Sequence, residues 1–244
     1  MTATMKKIPS YRSAALRWLA CALLLAGCAP MSEPTPPAAA PARAPATAPT
    51  PAGPGTTGSS SASTPATQLR VDPQRSLIAI TVRRGGAFAR FGHDHVVAVR
   101  TLEGQVLPDQ QRADLHFRLD RMTVDEAELR AIAGLTTQPD ADAIDGTRHN
   151  MLFKVLDAEH FPEVQLHAER PAGNGPLRVS ITLHGVTRQL QLPAAISEHN
   201  GIMTVSGSTT LKQTDFGLVP YAIMAGALAV QDQLELRFTI TATP

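Results

Sequence analysis

The chain predicts an all-β domain of antiparallel strands with a helical insertion, on three observations. Apolar and polar residues alternate with period two through most of its second half. Asn-Gly pairs at Asn174-Gly175 and Asn200-Gly201 separate such runs and accept the positive φ that tight hairpins demand. A stretch around residues 124–156 abandons the alternation for helical spacing. Antiparallel strands in this number close as a sandwich or a barrel.

The elements follow in order. Leu77-Ile78-Ala79-Ile80-Thr81-Val82 opens the pattern. Leu115, Phe117 and Leu119 alternate with His116, Arg118 and Asp120. Val124 to Ala133, with Leu129 and Ile132 among charges, reads as a short helix. Ile144 to Leu156 places Ile144, Met151, Leu152, Val155 and Leu156 on one stripe; Asp142 can cap its start and Phe161-Pro162 stops it. Strands resume with Val164, Leu166 and Ala168, then Leu177, Val179, Ile181 and Leu183. Leu234, Leu236, Phe238 and Ile240 make the last. The expected order is three strands, the insertion, then five strands, and eight strands closed on themselves leave an interior for one slim ligand.

Ahead of this domain stand two segments of other character. Residues 1–27 carry Lys6, Lys7, Arg12 and Arg17, then an apolar run from Trp18 to Leu25, and end in Leu25-Ala26-Gly27-Cys28. That order is a bacterial secretory signal with a lipobox, and its apolar run falls short of the roughly 20 residues of a membrane span. Cleavage leaves Cys28 first, as the acceptor of diacylglycerol. Similarity to bacterial lipoproteins implies the outer membrane as destination, since Ala29 rather than Asp follows the cysteine, with the domain in the periplasm. Cleavage also removes Cys21, so no disulfide is expected, and lowers the formal charge of +1 by four, to −3. That balance argues against a nucleic-acid partner. From Ala29 to Thr67 the chain is Pro, Ala, Thr, Ser and Gly, with ten of the 20 prolines and only Glu33 and Arg43 charged. Residues 28–68 are therefore expected to be a disordered tether, reaching about 35 Å if flexible and up to about 120 Å if wholly polyproline-like. Residues 69–244 form the domain.

The domain resembles the YceI-like family of lipid- or polyisoprenoid-binding proteins. The resemblance rests on Val71-Asp72 with Ser76; on Gly104; on Arg148 with Met151-Leu152; on Leu156-Asp157 and Phe161-Pro162; and most specifically on Leu183-His184-Gly185-Val186-Thr187-Arg188 and Asp215-Phe216-Gly217. It implies an eight-stranded antiparallel lipocalin-like barrel whose bore holds an apolar ligand, a quinone or polyprenyl lipid. Arg75 stands where the family often has His, and Arg148-His149-Asn150 departs from its usual helix motif. Burying one isoprene unit is worth up to about 4 kcal/mol, so tail burial alone can drive binding. The inward rows supply the candidate lining: Leu115, Phe117, Leu166, Ile181, Leu183, Leu236, Phe238 and Ile240, with Arg148 as a candidate head-group anchor.

Arg90-Phe91-Gly92-His93-Asp94-His95 is similar to a Gly-His-x-His subgroup. If extended, His93 and His95 face one side and could share a metal, with Asp94 facing away; two ligands fall short of the three or four of a zinc site. The bland alternative is a structural turn. Met224 to Leu228 is either a lining of the barrel opening or a loop on its rim. No Gly-x-Ser-x-Gly or His-Glu-x-x-His motif is present, and no enzymatic activity is expected. The remaining alternatives are a metal-binding module centred on His93 and His95, and an envelope structural or stress-related protein with a filled barrel.

Overall fold

The computed structural model describes residues 67–173 and 175–244. The signal, Cys28, nearly all of the tether and Asn174 lie outside the described residues. One antiparallel sheet of thirteen segments dominates. They are β1 (Leu69–Val71), β2 (Leu77–Gly85), β3 (His95–Val99), β4 (Glu103–Leu107), β5 (Arg112–Arg118), β6 (Thr123–Val124), β7 (Glu163–Glu169), β8 (Leu177–Leu183), β9 (Val186–Leu192), β10 (Ala194–His199), β11 (Ile202–Lys212), β12 (Ala222–Ile223) and β13 (Leu228–Thr243). Helices α1 (Ala127–Ile132) and α2 (Ala141–Asn150) separate β6 from β7.

Thirteen segments make eight barrel strands because five of those strands are bent. β1 and β2 lie along the same edge of β13, Val71 opposite Ala242 and Leu77 opposite Thr239. Between them Pro73 has no N–H to give to a ladder, and the Asp72 carboxylate accepts from Gln74 N–H (3.0 Å) to hold a tight turn. β3 and β4 follow as the second strand, pairing with β2 and β1 respectively. β5 and β6 are the third. β7 and β8 extend the wall as the fourth and fifth. β9 pairs with β8 and β10 with β11, so the strand bent at Pro193 closes the wall between them. β11 and β12, bent between them, pair along one edge of β13, and the other edge of β13 returns to β2. The order is three strands, the insertion, then five, as the alternation predicts.

Glycine permits two of the sharpest points. At the Pro193 corner a Cβ on Gly207 would lie 2.6 Å from the Pro193 carbonyl oxygen and 2.7 Å from the Phe238 ring. His184 and Gly185, at φ 52° and 71°, form the two-residue turn between β8 and β9, with Gly185 under the Phe161 ring. Asn200-Gly201 (φ 51° and 75°) turns β10 into β11 as expected.

The insertion differs in detail. Asp140, not Asp142, caps α2, its carboxylate accepting from Ala143 N–H (2.8 Å). After Asn150 the helix widens by one turn, and Leu156 N–H donates to Met151 O (2.9 Å). Leu119 belongs to a 3-10 turn (Leu119–Arg121) rather than to a strand. Asp215-Phe216-Gly217 is a structural turn with Phe216 buried and Gly217 at φ 72°. Met224 to Gly226 is an exposed turn on the rim. Among the described residues no helix is long and apolar enough to cross a membrane.

Candidate ligand cavity

The inward rows of the barrel end differently at its two ends. Towards the β4–β5, β7–β8 and β10–β11 hairpins they surround a cavity of about 260 Å³. Its walls are apolar, and the exposed Gln111, Glu169, Arg170 and Glu198 also line it, which places its mouth at the hairpin end. Towards the insertion the bore is solid. There Phe117 and Val164 pack in one cluster with Leu152 and Leu156 of the insertion and with Phe216 and Leu218.

Six of the expected lining residues face the cavity: Leu115, Leu166, Ile181, Leu236, Phe238 and Ile240. Two do not. Phe117 is buried in the solid half, and Leu183 packs against the same cluster. Their inward parity was legible, but the insertion fills the space they face. Arg148 is not at the mouth either. It projects from α2, and its guanidinium donates to the Asp120 carbonyl (2.5 Å), so it ties the insertion to the wall. Lining from β8 to β11 was missed, notably Val179, Leu190, Leu192, Met203 and Val205. Leu190 and Leu192 alternate with Gln189 and Gln191, a period-two signal that marks them. A broader concavity of about 620 Å³ lies on the outer wall. It is open to solvent and mixes Leu115 and Leu166 with polar side chains such as Glu103, Asp114, His116, Gln165 and His167, so it suits an apolar ligand less well than the bore.

The His93-Asp94-His95 turn lies elsewhere, against α1, and serves as a fastening. The Asp94 carboxylate accepts from Arg84 N–H (2.9 Å). His95 Nδ1 is 2.6 Å from the Asp125 carboxylate, which also accepts from Val96 N–H (3.0 Å) and Arg130 Nη1 (2.5 Å). Arg130, 1% exposed, donates onward to Asp94 O (2.7 Å) and Thr137 O (2.9 Å). Asp125 holds a left-handed φ of 58°, which these bonds fix in place. Burial pushes its carboxyl up, but the bonds from His95, Val96 and Arg130 outweigh burial and hold it below the ordinary carboxylate value. The His93 and His95 rings stand 6.1 Å apart, and His95 Nε2 is 3.4 Å from Thr147 Oγ1. Among the described residues no group of three or more His, Cys, Asp or Glu side chains is arranged to hold a metal. The geometry gives His95 a structural partner and offers a metal too few ligands.

The fold and cavity define a small β-barrel with a one-ended apolar pocket, a form suited to an apolar ligand. Residues 69–242 match the model of the YceI-like domain, and the chain belongs to the YceI-like family. Solved structures of the same fold include BcnA of Burkholderia cenocepacia, 16% identical, covering 71% of this chain and 99% of that one with a TM-score of 0.51. They also include a polyisoprenoid-binding domain from Saccharophagus degradans implicated in plant cell wall breakdown. That domain is 12% identical, covers 72% of this chain and 97% of its own, and has a TM-score of 0.53. No curated protein matches the chain.

Proposed function

We propose that this protein is a tethered lipoprotein of the bacterial envelope that binds or carries a polyisoprenoid lipid, a quinone or polyprenyl compound, by its tail and without catalysis. The observation that carries this reading is the apolar cavity inside the barrel, open at one end through a polar rim. A tail buried there leaves water without burying a polar group, while its head group stays beside Gln111, Arg170 and Glu198. Membership of the YceI-like family and the fold shared with a polyisoprenoid-binding domain support the same ligand class. Acylation at Cys28 would anchor the protein to the outer membrane, and the long tether would let the domain move between that surface and a periplasmic partner.

Gentle purification of the full chain from bacterial envelopes, solvent extraction and mass spectrometry test this. A near-stoichiometric prenyl lipid is expected. A folded, monodisperse protein whose extract holds no apolar compound beyond its own acyl anchor would overturn the reading.

A further inference from the structure

The two ends of the barrel also differ on the outside. Among the described residues seven large hydrophobic side chains are exposed, and six stand at the plugged end, on the side of the insertion: Phe88, Phe91, Phe153, Val219, Ile223 and Met224. The seventh, Ile132, is on α1, and the hairpins around the cavity mouth carry none. Exposed apolar residues scattered singly need no explanation, whereas a cluster of them marks an interaction surface.

Three segments bring the six together. The connection between β2 and β3 meets the β12–β13 hairpin, where Phe88 N–H donates to Ala227 O (2.7 Å). Gly86 allows that approach, since a Cβ there would lie 2.5 Å from the Gly226 and Ala227 carbonyl oxygens. From the insertion, Lys154 Nζ stands 5.6 Å from the centre of the Tyr221 ring, which sets its neighbour Phe153 at the same end. At the hairpin tip Met224 and Ala225 both hold a left-handed φ, 53° and 54°, which L side chains rarely adopt, and Ala222 to Gly226 stay exposed. None of the six lines either cavity described above, so they form separate tips rather than a groove.

The charges around the tips point to the partner. From Phe216 to Gln231 no residue is charged. The cations beside the tips lie on aromatic faces, Arg90 Cζ 4.5 Å from the centre of the Phe91 ring and Lys154 over Tyr221. Asp94, next along the chain from the first tip, is engaged by Arg84 N–H and by the Arg83 and Arg84 guanidiniums. Asp232, next from the hairpin, accepts from Thr214 N–H and its hydroxyl, while Asp215 stays exposed. Apolar tips flanked by aromatic rings and cations are the composition of a surface that lies in a lipid headgroup layer. A fluid bilayer accepts discontinuous tips, whereas a folded partner needs one continuous complementary face.

We propose that the plugged end docks on an anionic phospholipid bilayer. Phe88, Phe91 and Met224 dip towards the acyl boundary, Arg90 and Lys154 meet headgroup phosphates, and the cavity mouth points away from the membrane. The chain enters the domain at the mouth end, where Thr67 N–H donates to Asp109 (2.9 Å). The sixteen residues of β13 give a barrel about 40 Å long at a tilt of about 40°. That length is within the tether's reach of up to about 120 Å, so the anchor proposed at Cys28 and the docked tips can share one membrane. The proposal does not depend on what the bore holds.

The test reads which end meets lipid. Trp18 is the chain's single tryptophan, so the full chain carrying Trp18→Phe takes a reporter as Met224→Trp in one variant and as Gln110→Trp, at the mouth end, in another. Each is mixed with vesicles of phosphatidylethanolamine and phosphatidylglycerol brominated near the headgroup end of their chains. The N-terminal segment is the same in both, so the difference between them reports orientation. Emission from position 224 is expected to fall at least about twofold, as for a side chain about 5–10 Å deep in the interface, and emission from position 110 to stay unchanged. Arg90→Glu with Lys154→Glu is expected to lower the docked-to-free ratio at least about tenfold. No quenching at position 224, or equal quenching at both positions, would overturn the proposal. A blue-shifted emission at 224 before lipid is added, with a doubled mass in sedimentation, would assign the tips to a second copy of the chain and overturn it as well. Each outcome leaves the reading of the bore as it stands.

Discussion

Around Leu166 and Ile181 the inward side chains surround a cavity, whereas around Phe117 and Val164 they meet one another. Both regions sit on the same strands, in register, with the same kind of side chain. What differs is the cover. The insertion sends Leu152 and Leu156, and the segment after β11 sends Phe216 and Leu218, into the one half. The hairpin half has only short turns above it and stays open. Strand alternation therefore decides which residues face inward, and distant segments decide whether the space they face is filled.

The largest expected effect is on the buried cluster that fastens α1 to β3 through Asp125. Asp125→Ala leaves Arg130 buried without its carboxylate and removes the partner of His95, a loss of about 3–5 kcal/mol by urea denaturation. The same carboxylate gives a pH dependence of known sign. Its folded-state pKa lies below the ordinary value of 3.8, so its contribution is fully present above about pH 4. As the pH falls further the unfolded chain takes up the proton first, and stability declines through the folded-state value. Asp125→Ala is expected to flatten that acid limb, and an unchanged limb would remove Asp125 from the account.

Truncations in the two halves sharpen the comparison. Phe117→Ala opens a void in packed core and is expected to cost about 3–4 kcal/mol. Leu166→Ala enlarges a void that already exists and is expected to cost about 1–2 kcal/mol. Equal costs by denaturant titration would mean that the hairpin half is packed as tightly as the other. Filling the void should act in the opposite sense. Ala168→Leu on the cavity wall is expected to raise stability by about 1 kcal/mol and to weaken binding of a two-unit prenyl alcohol at least tenfold.

Legibility followed range. The strand order, the position of the insertion and the Asn200-Gly201 turn depend on neighbours in sequence, and all were readable there. Three of the five bends came from local chemistry that alternation ignores: Pro73, Pro193 and the turn at Leu119. The split between lining and plug was unreadable, because Leu115 and Phe117 are equivalent by parity and are distinguished only by residues far along the chain. Arg148 failed for the same reason, since a helical stripe does not say which carbonyl lies beneath its polar side. The Asp125–Arg130 pair, five apart among other charges, gave no sign that both would be buried against His95.

The smallest expected effect lies on the outer wall, where the two halves should not differ at all. Arg83 meets Glu235 through two hydrogen bonds of 3.1 Å across β2 and β13, with both side chains substantially exposed. The bond to Glu235 raises the guanidinium's pKa and lowers that of the carboxyl, yet water and salt screen an exposed pair. Glu235→Gln is expected to cost less than about 1 kcal/mol, to lose even that in high salt, and to leave prenyl binding unchanged. Its neighbours along β13, Leu234 and Leu236, point to the other face, and Leu236 lines the cavity. A change in ligand affinity from Glu235→Gln would therefore show that wall and bore are coupled, and the cavity could no longer be treated as a rigid cup set by the side chains that face it.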